Sequence, residues 1–175
     1  MQHEKFKICI FGDGGVGKTT LVNRYLTGVF QEHYKITIGA DFFVKRLSVN
    51  GTRITLQIWD FAGEDRFKFI LPSYITGSSG CIFMYDITRY SSIKNIGEWI
   101  EVFEKGAEKS NTEIPLIMVG GKLDLDYKRA VESDHAKEIA LEHQFKEHLE
   151  CSSKTGKNID EIFRRISKIM LNLDS

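Results

Sequence analysis

At 175 residues, the chain suits one domain, residues 1–175, with room for a substantial core. Lysine plus arginine equals aspartate plus glutamate at 24 each, so nothing in the charge favours an anionic membrane surface, and no nucleic-acid partner is expected. Three scattered cysteines (Cys9, Cys81, Cys151) without a CxxC pair, five histidines without a ligand spacing, and no apolar run of membrane-spanning length argue against a disulfide scaffold, a transition-metal site and a membrane span; reduced, buried thiols and a cytoplasmic location are expected.

The strand-like run Phe6–Phe11 leads into G-D-G-G-V-G-K-T, Gly12 to Thr19. This fits G-x-x-x-x-G-K-[ST], a loop that wraps phosphates. Its glycines let successive backbone N–H groups turn toward one anion, because no Cβ blocks the approach. The candidate phosphate ligands are Asp13, Gly14, Gly15, Val16, Gly17, Lys18, Thr19 and Thr20. Lys18 supplies a positive charge and Thr19 a hydroxyl oxygen for Mg²⁺. A helix is expected over Thr20–Leu26, which adds the partial positive charge of its N-terminus.

Asp41–Asn50 and Thr52–Phe61 read as two strands joined by a tight turn at Asn50-Gly51. Ala62–Ser79 reads as irregular, with Pro72 limiting any helix. Gly80–Tyr85 and Ile114–Val119 are apolar throughout, as buried parallel strands require. Ile93, Ile96, Ile100 and Phe103 recur at helical spacing, with Trp99 on the same side. A helix over Val131–His143 and a short strand over His148–Cys151 follow, and a last helix carries Ile159, Ile162, Phe163, Ile166, Ile169, Met170 and Leu173 as one stripe. Such alternation implies an α/β fold: a mostly parallel sheet covered by helices on both faces, with the hairpin adding an antiparallel edge strand. Ligands then bind beyond the carboxyl ends of the strands.

Further motifs stand at those strand ends. W-D-F-A-G-E-D-R-F, Trp59 to Phe67, places Asp60 to hold Mg²⁺ through a water opposite Thr19, and Gly63 to offer its N–H to a γ-phosphate. G-G-K-L-D, Gly120 to Asp124, places a carboxylate to accept hydrogen bonds from the N1 and amino group of guanine, a pair that adenine lacks. Lys122 can lay its aliphatic stem on the base. C-S-S-K-T-G, Cys151 to Gly156, brings Ser152, Ser153 and Lys154 toward the guanine carbonyl. Between the first helix and the hairpin, Tyr34 to Phe42 contributes Tyr34 to the nucleotide and gives Thr37 a hydroxyl for Mg²⁺ while a γ-phosphate holds the loop.

These motifs, in this order over nearly the whole chain, resemble a Ras-superfamily small GTPase, and T-I-G-A-D-F (Thr37–Phe42), W-D-x-A-G (Trp59–Gly63) and Tyr85-Asp86-Ile87-Thr88 resemble the Rab group most. The resemblance implies a P-loop NTPase fold with a six-stranded sheet and about five helices. It implies GTP and GDP as ligands, Mg²⁺ as cofactor, and a monomeric switch in membrane traffic or signalling. It implies Lys18, Thr37, Gly63 and the residue at 64 as the hydrolytic set, and Phe30 as the aromatic against the guanine edge. Phe42, Trp59 and Tyr74 match the aromatics shown to effectors, so effectors, an exchange factor and an activating protein are the implied partners. No arginine stands out as placed to enter the site in cis.

The chain departs from that family in three places. Glu64 stands where the family has Gln, bringing a negative charge near the phosphate whose repulsion at about 4 Å is on the order of 1–4 kcal/mol. Gly121 stands where the family has an Asn that ties the base loop to the phosphate loop, a loss of roughly 1–3 kcal/mol. The sequence ends Asn172-Leu173-Asp174-Ser175 without a prenylation cysteine, so membrane contact is expected only through a lipidated tail beyond these residues. Slow hydrolysis in the absence of an activating partner is expected. The alternative is a GTP-binding scaffold with negligible turnover; a small-molecule kinase is disfavoured because no arginine-rich lid is visible.

Overall fold

The computed structural model describes residues 2–32 and 36–173. Six strands, β1 (His3–Phe11), β2 (Ala40–Val49), β3 (Thr52–Phe61), β4 (Gly80–Asp86), β5 (Leu116–Gly121) and β6 (Glu147–Glu150), form one sheet in the order β2-β3-β1-β4-β5-β6. Only β2 runs antiparallel, paired with β3 from Ala40↔Phe61 to Val49↔Thr52. Asn50 (φ 48°) and Gly51 (φ 81°) both take positive φ, as the tight turn between such strands demands.

β1 lies in the middle, in parallel register with β3 (Ile10↔Asp60) and β4 (Cys9↔Cys81). Its residues alternate between two cores. Cys9 and Phe11 join Phe83, Trp99 and Phe103 on one face, while Ile8 and Ile10 join Leu21, Ile82 and Phe163 on the other. This is why the central strands are apolar on both sides. All three cysteines are buried and unpaired, and burial pushes each thiol upward.

Among the described residues there are six α-helices: α1 (Lys18–Thr27), α2 (Leu71–Ile75), α3 (Ser91–Lys94), α4 (Ile96–Ala107), α5 (Ser133–Glu142) and α6 (Ile159–Met170). Only Asn95 separates α3 from α4, so the expected five helices correspond to these six with one interruption. α1 and α6 cover one face, where the Tyr25 and Phe163 rings stack at 3.9 Å; α4 covers the other with α2 against it.

Two expectations need correction. The segment after β3 is not irregular: it forms a 3₁₀ turn, Asp65–Ile70, and then α2. Pro72 lies in the first turn of that five-residue helix, where a missing N–H costs nothing, and so limits it at its start. The fifth strand begins at Leu116 rather than Ile114 and runs on to Gly121, carrying the guanine-motif glycines into the sheet. No helix among the described residues is long and apolar enough to cross a membrane.

Candidate functional site

The carboxyl ends of β1, β3, β4 and β5 open onto a cleft of about 630 Å³. One wall is the phosphate loop. Gly12, Gly15 and Gly17 hold φ of 145°, 77° and 106°, backbone that other residues rarely adopt. A Cβ on Gly12 would strike the Met84 carbonyl, so the loop and β4 are in contact there.

Lys18, only 6% exposed, donates its ammonium to the carbonyls of Gly12 (2.8 Å) and Asp13 (2.7 Å). Burial pushes its pKa down to about 8, against the opposing pull of Asp60 and Asp13. A desolvated cation held by neutral carbonyls is poised for an anion. The Asp13 carboxylate itself points away from the cleft and accepts the Trp99 indole N–H at 2.7 Å.

Thr19 Oγ1 lies 2.8 Å from Thr37 Oγ1 and donates to Asp60 Oδ2 at 2.5 Å. Asp60 is fully buried at the end of β3, and its Oδ1 has no hydrogen-bond partner among the described residues. Burial raises its pKa, while the Thr19 hydrogen bond and Lys18 oppose the rise. Two hydroxyls and a carboxylate with an orphaned oxygen are hard donors of the kind Mg²⁺ takes, so these residues fit that ion.

Gly63 sits so close to the phosphate loop that a Cβ on it would collide with the backbone of Gly14 and Asp13. Glu64 lines the cleft, and its Oε2 pairs with Arg66 Nε at 2.8 Å.

At the other end of the cleft, Ser152 Oγ donates to Asp124 Oδ1 at 2.8 Å, fixing one carboxylate oxygen. The Leu123 N–H bonds the Cys151 carbonyl (2.9 Å), joining the two base loops. Lys122, at φ 68°, reaches back to the Gly15 carbonyl (3.1 Å) and pairs with buried Asp86 at 2.8 Å. Phe30, Ser153, Lys154, Thr20, Val16 and Gly17 also line the cleft. The structure thus brings every expected ligand residue that it describes to one cleft or into bonds with its lining. Asp13 takes part through its carbonyl while its carboxylate turns to the buried Trp99, and Tyr34 lies outside the described residues.

Phe42, Trp59 and Tyr74 form a separate cluster, with ring centroids 4.8 Å apart for Phe42–Trp59 and 5.3 Å for Trp59–Tyr74. Phe42 is exposed and the other two half-buried. Two residues escaped the sequence reading. Arg89, in the loop after β4, donates to the Gly14 carbonyl at 2.7 Å from outside the cleft, which it does not line. Met84 lines the cleft, with its methyl beside Gly17 and Gly121. No motif marks either one; only the register of β4 against β1 and β5 puts them there.

Residues 7–172 match the Ras family. The chain is 37% identical to the Ras-related protein Rab-13 of Rattus norvegicus over 95% of its length and 80% of that protein. It is 38% identical to Ras-related protein Rab-19 of Xenopus laevis (95% and 76% covered) and 37% identical to Ras-related protein Rab-7a of Paramecium octaurelia (93% and 80%).

Proposed function

The chain belongs to the Ras family, and from that premise we propose that residues 1–175 act as a single guanine-nucleotide switch domain that binds GTP and hydrolyses it to GDP. One observation carries this reading: Thr19, Thr37 and Asp60 converge at the mouth of a phosphate loop whose cleft also holds the Asp124–Ser152 pair.

The loop N–H groups and Lys18 would bind the phosphates, and Asp124, with one oxygen fixed by Ser152, would select guanine. Thr19, Thr37 and Asp60 would hold Mg²⁺, which when bound neutralises charge on the β- and γ-phosphates. Thr37 and the Gly63 N–H would close two loops over the γ-phosphate. Loss of that phosphate frees both loops, so the Phe42–Trp59–Tyr74 face nearby changes its presentation to an effector. Membrane traffic is the pathway that the Rab-named relatives favour, with an exchange factor and an activating protein as regulators.

Glu64 replaces the amide that orients water in this family. Its ion pair with Arg66 offsets its negative charge and engages one of its two carboxylate oxygens. This supports slow turnover in the isolated chain. The same pair favours a second reading, a GTP-loaded scaffold with negligible hydrolysis.

The test begins with chromatography of the nucleotide released when the purified protein is denatured; guanosine nucleotide is expected. Single-turnover phosphate release then separates switch from scaffold. Conversion within hours supports the switch, and no conversion over a day supports the scaffold. Rates that match for wild type, Glu64→Gln and Glu64→Ala would remove Glu64 from the mechanism. Equal affinity for ATP and GTP would overturn the guanine assignment.

A further inference from the structure

Four consecutive carbonyls of the phosphate loop each meet a cationic side chain. Lys18 serves Gly12 and Asp13, Arg89 serves Gly14 at 2.7 Å, and Lys122 serves Gly15 at 3.1 Å. Lys18 and Lys122 belong to motifs already assigned to the nucleotide, whereas Arg89 belongs to none.

Gly63 packs against the Gly14 backbone and Lys122 holds the Gly15 carbonyl, but Arg89 is the side chain that bonds the Gly14 carbonyl itself. Both glycines are exposed, and among the described residues nothing lies within 4 Å of a Cβ built on Gly14. Two adjacent glycines also let a peptide plane rotate at low cost. In a planar trans peptide the carbonyl of one residue and the N–H of the next point in opposite directions. A hydrogen bond that holds the Gly14 carbonyl outward therefore turns the Gly15 N–H toward the cleft.

Arg89 is well mounted for this. Its N–H bonds the Asp86 carbonyl (3.0 Å) at the end of β4, and its own carbonyl accepts the Ser92 hydroxyl (2.6 Å) and the Ser92 N–H (3.0 Å). Its guanidinium reaches 3.4 Å from a Cβ built on Gly15, so it covers this peptide from outside. Its charge is also felt at Lys18, though burial is the larger influence there.

We propose that Arg89 is a positioning residue for polyphosphate: it sets the Gly14–Gly15 peptide and adds positive charge behind it, a second brace for the phosphate loop in a chain whose base motif has Gly121. This inference rests on the guanine-nucleotide reading above. It predicts a defect that depends on the phosphate chain and not on the base.

The experiment compares GDP and GMP affinities of wild type, Arg89→Gln, Arg89→Ala and Arg89→Lys in excess magnesium, by displacement of a fluorescent GDP analogue. The two neutral variants should bind GDP about tenfold more weakly, the scale of a lost charged hydrogen bond. GMP should lose markedly less, and Arg89→Lys should recover part of the GDP loss. Unchanged GDP affinity in Arg89→Gln overturns the proposal. So does an equal loss for GDP and GMP, which would mark a purely structural residue. Wild-type protein that binds no GDP overturns the parent reading and this one with it, a result distinct from intact wild-type binding with unaffected variants.

Discussion

Met84 occupies the space that a side chain at position 121 would need. A Cβ built on Gly121 falls 2.5 Å from Met84 Cε, and the same methyl lies 3.6 Å from one built on Gly17. An apolar contact between β4, β5 and the loop thus fills the place of a side chain at 121, beside the Lys122–Gly15 hydrogen bond that joins the two loops. Restoring the amide alone should fail, because Met84 Cε, the end of a flexible side chain, can swing aside only in part while the Val16 carbonyl backbone stands 3.2 Å from the same Cβ, and overpacking costs up to roughly 1–3 kcal/mol. Gly121→Asn is expected to lower thermal stability and not to tighten GDP binding. Adding Met84→Val should recover stability, with a coupling on the order of 1 kcal/mol, and tighten GDP binding beyond wild type. A single Gly121→Asn variant as stable as wild type would show that Met84 yields freely.

Gly63 has no room for even one carbon. The atoms a Cβ would strike are backbone atoms of Asp13 and Gly14, which cannot rotate aside as a side chain could. Gly63→Ala should therefore push the loop after β3 away from the cleft while leaving the sheet intact. Single-turnover hydrolysis should fall by about 100-fold, the scale for a reacting group displaced by roughly 1 Å. GDP binding and the melting temperature should change little. Hydrolysis at the wild-type rate would mean that the close approach is dispensable.

Much of this site was legible because its chemistry depends on short, contiguous motifs. The glycine octet, Asp60, Asp124 and the Ser152-Ser153-Lys154 loop each follow a strand, and strand ends converge in a parallel sheet. What stayed hidden depended on three-dimensional neighbours. Arg89 and Met84 carry no local signal, and the short helix with Pro72 in its first turn depends on the packing of Leu71 and Ile75 into the core. The direction of the Asp13 side chain was equally illegible, since it is decided by Trp99, 86 positions away in sequence.

His148 offers a pH-dependent stability term. Its Nε2 lies 2.7 Å from the hydroxyl of Tyr85, whose ring is buried and stacks beside it at 6.1 Å. Burial lowers the His148 pKa; Glu150 opposes this, and Lys137 and Arg129 add to it. The sign follows from proton counts. Between the lowered folded value and the ordinary value near 6.5, the unfolded chain binds more protons than the folded one, so stability falls as pH drops through that window. GDP-loaded wild type should lose stability from about pH 6.5 toward pH 5 more steeply than His148→Gln, as read by urea unfolding at each pH. Parallel slopes would remove His148 from the acid response.

Arg66 should matter for nucleotide choice and hardly at all for folding. Its pair with Glu64 is largely exposed, and such pairs contribute about 0–1 kcal/mol to stability. Arg66→Ala is therefore expected to melt within a few degrees of wild type. Beside the cleft, however, it leaves the Glu64 carboxylate uncompensated where a γ-phosphate would come. That repulsion acts on GTP and not on GDP, so the ratio of GTP to GDP affinity should fall several-fold, more at low salt than at high salt. Glu64→Gln in the same background removes the charge and should restore the ratio. Measured affinities for a slowly hydrolysed GTP analogue and for GDP in the four proteins close the cycle. A ratio that falls in Arg66→Ala but is not restored by Glu64→Gln would mean that Arg66 acts on the phosphate directly, and the two carboxylate oxygens of Glu64 would then be irrelevant to it.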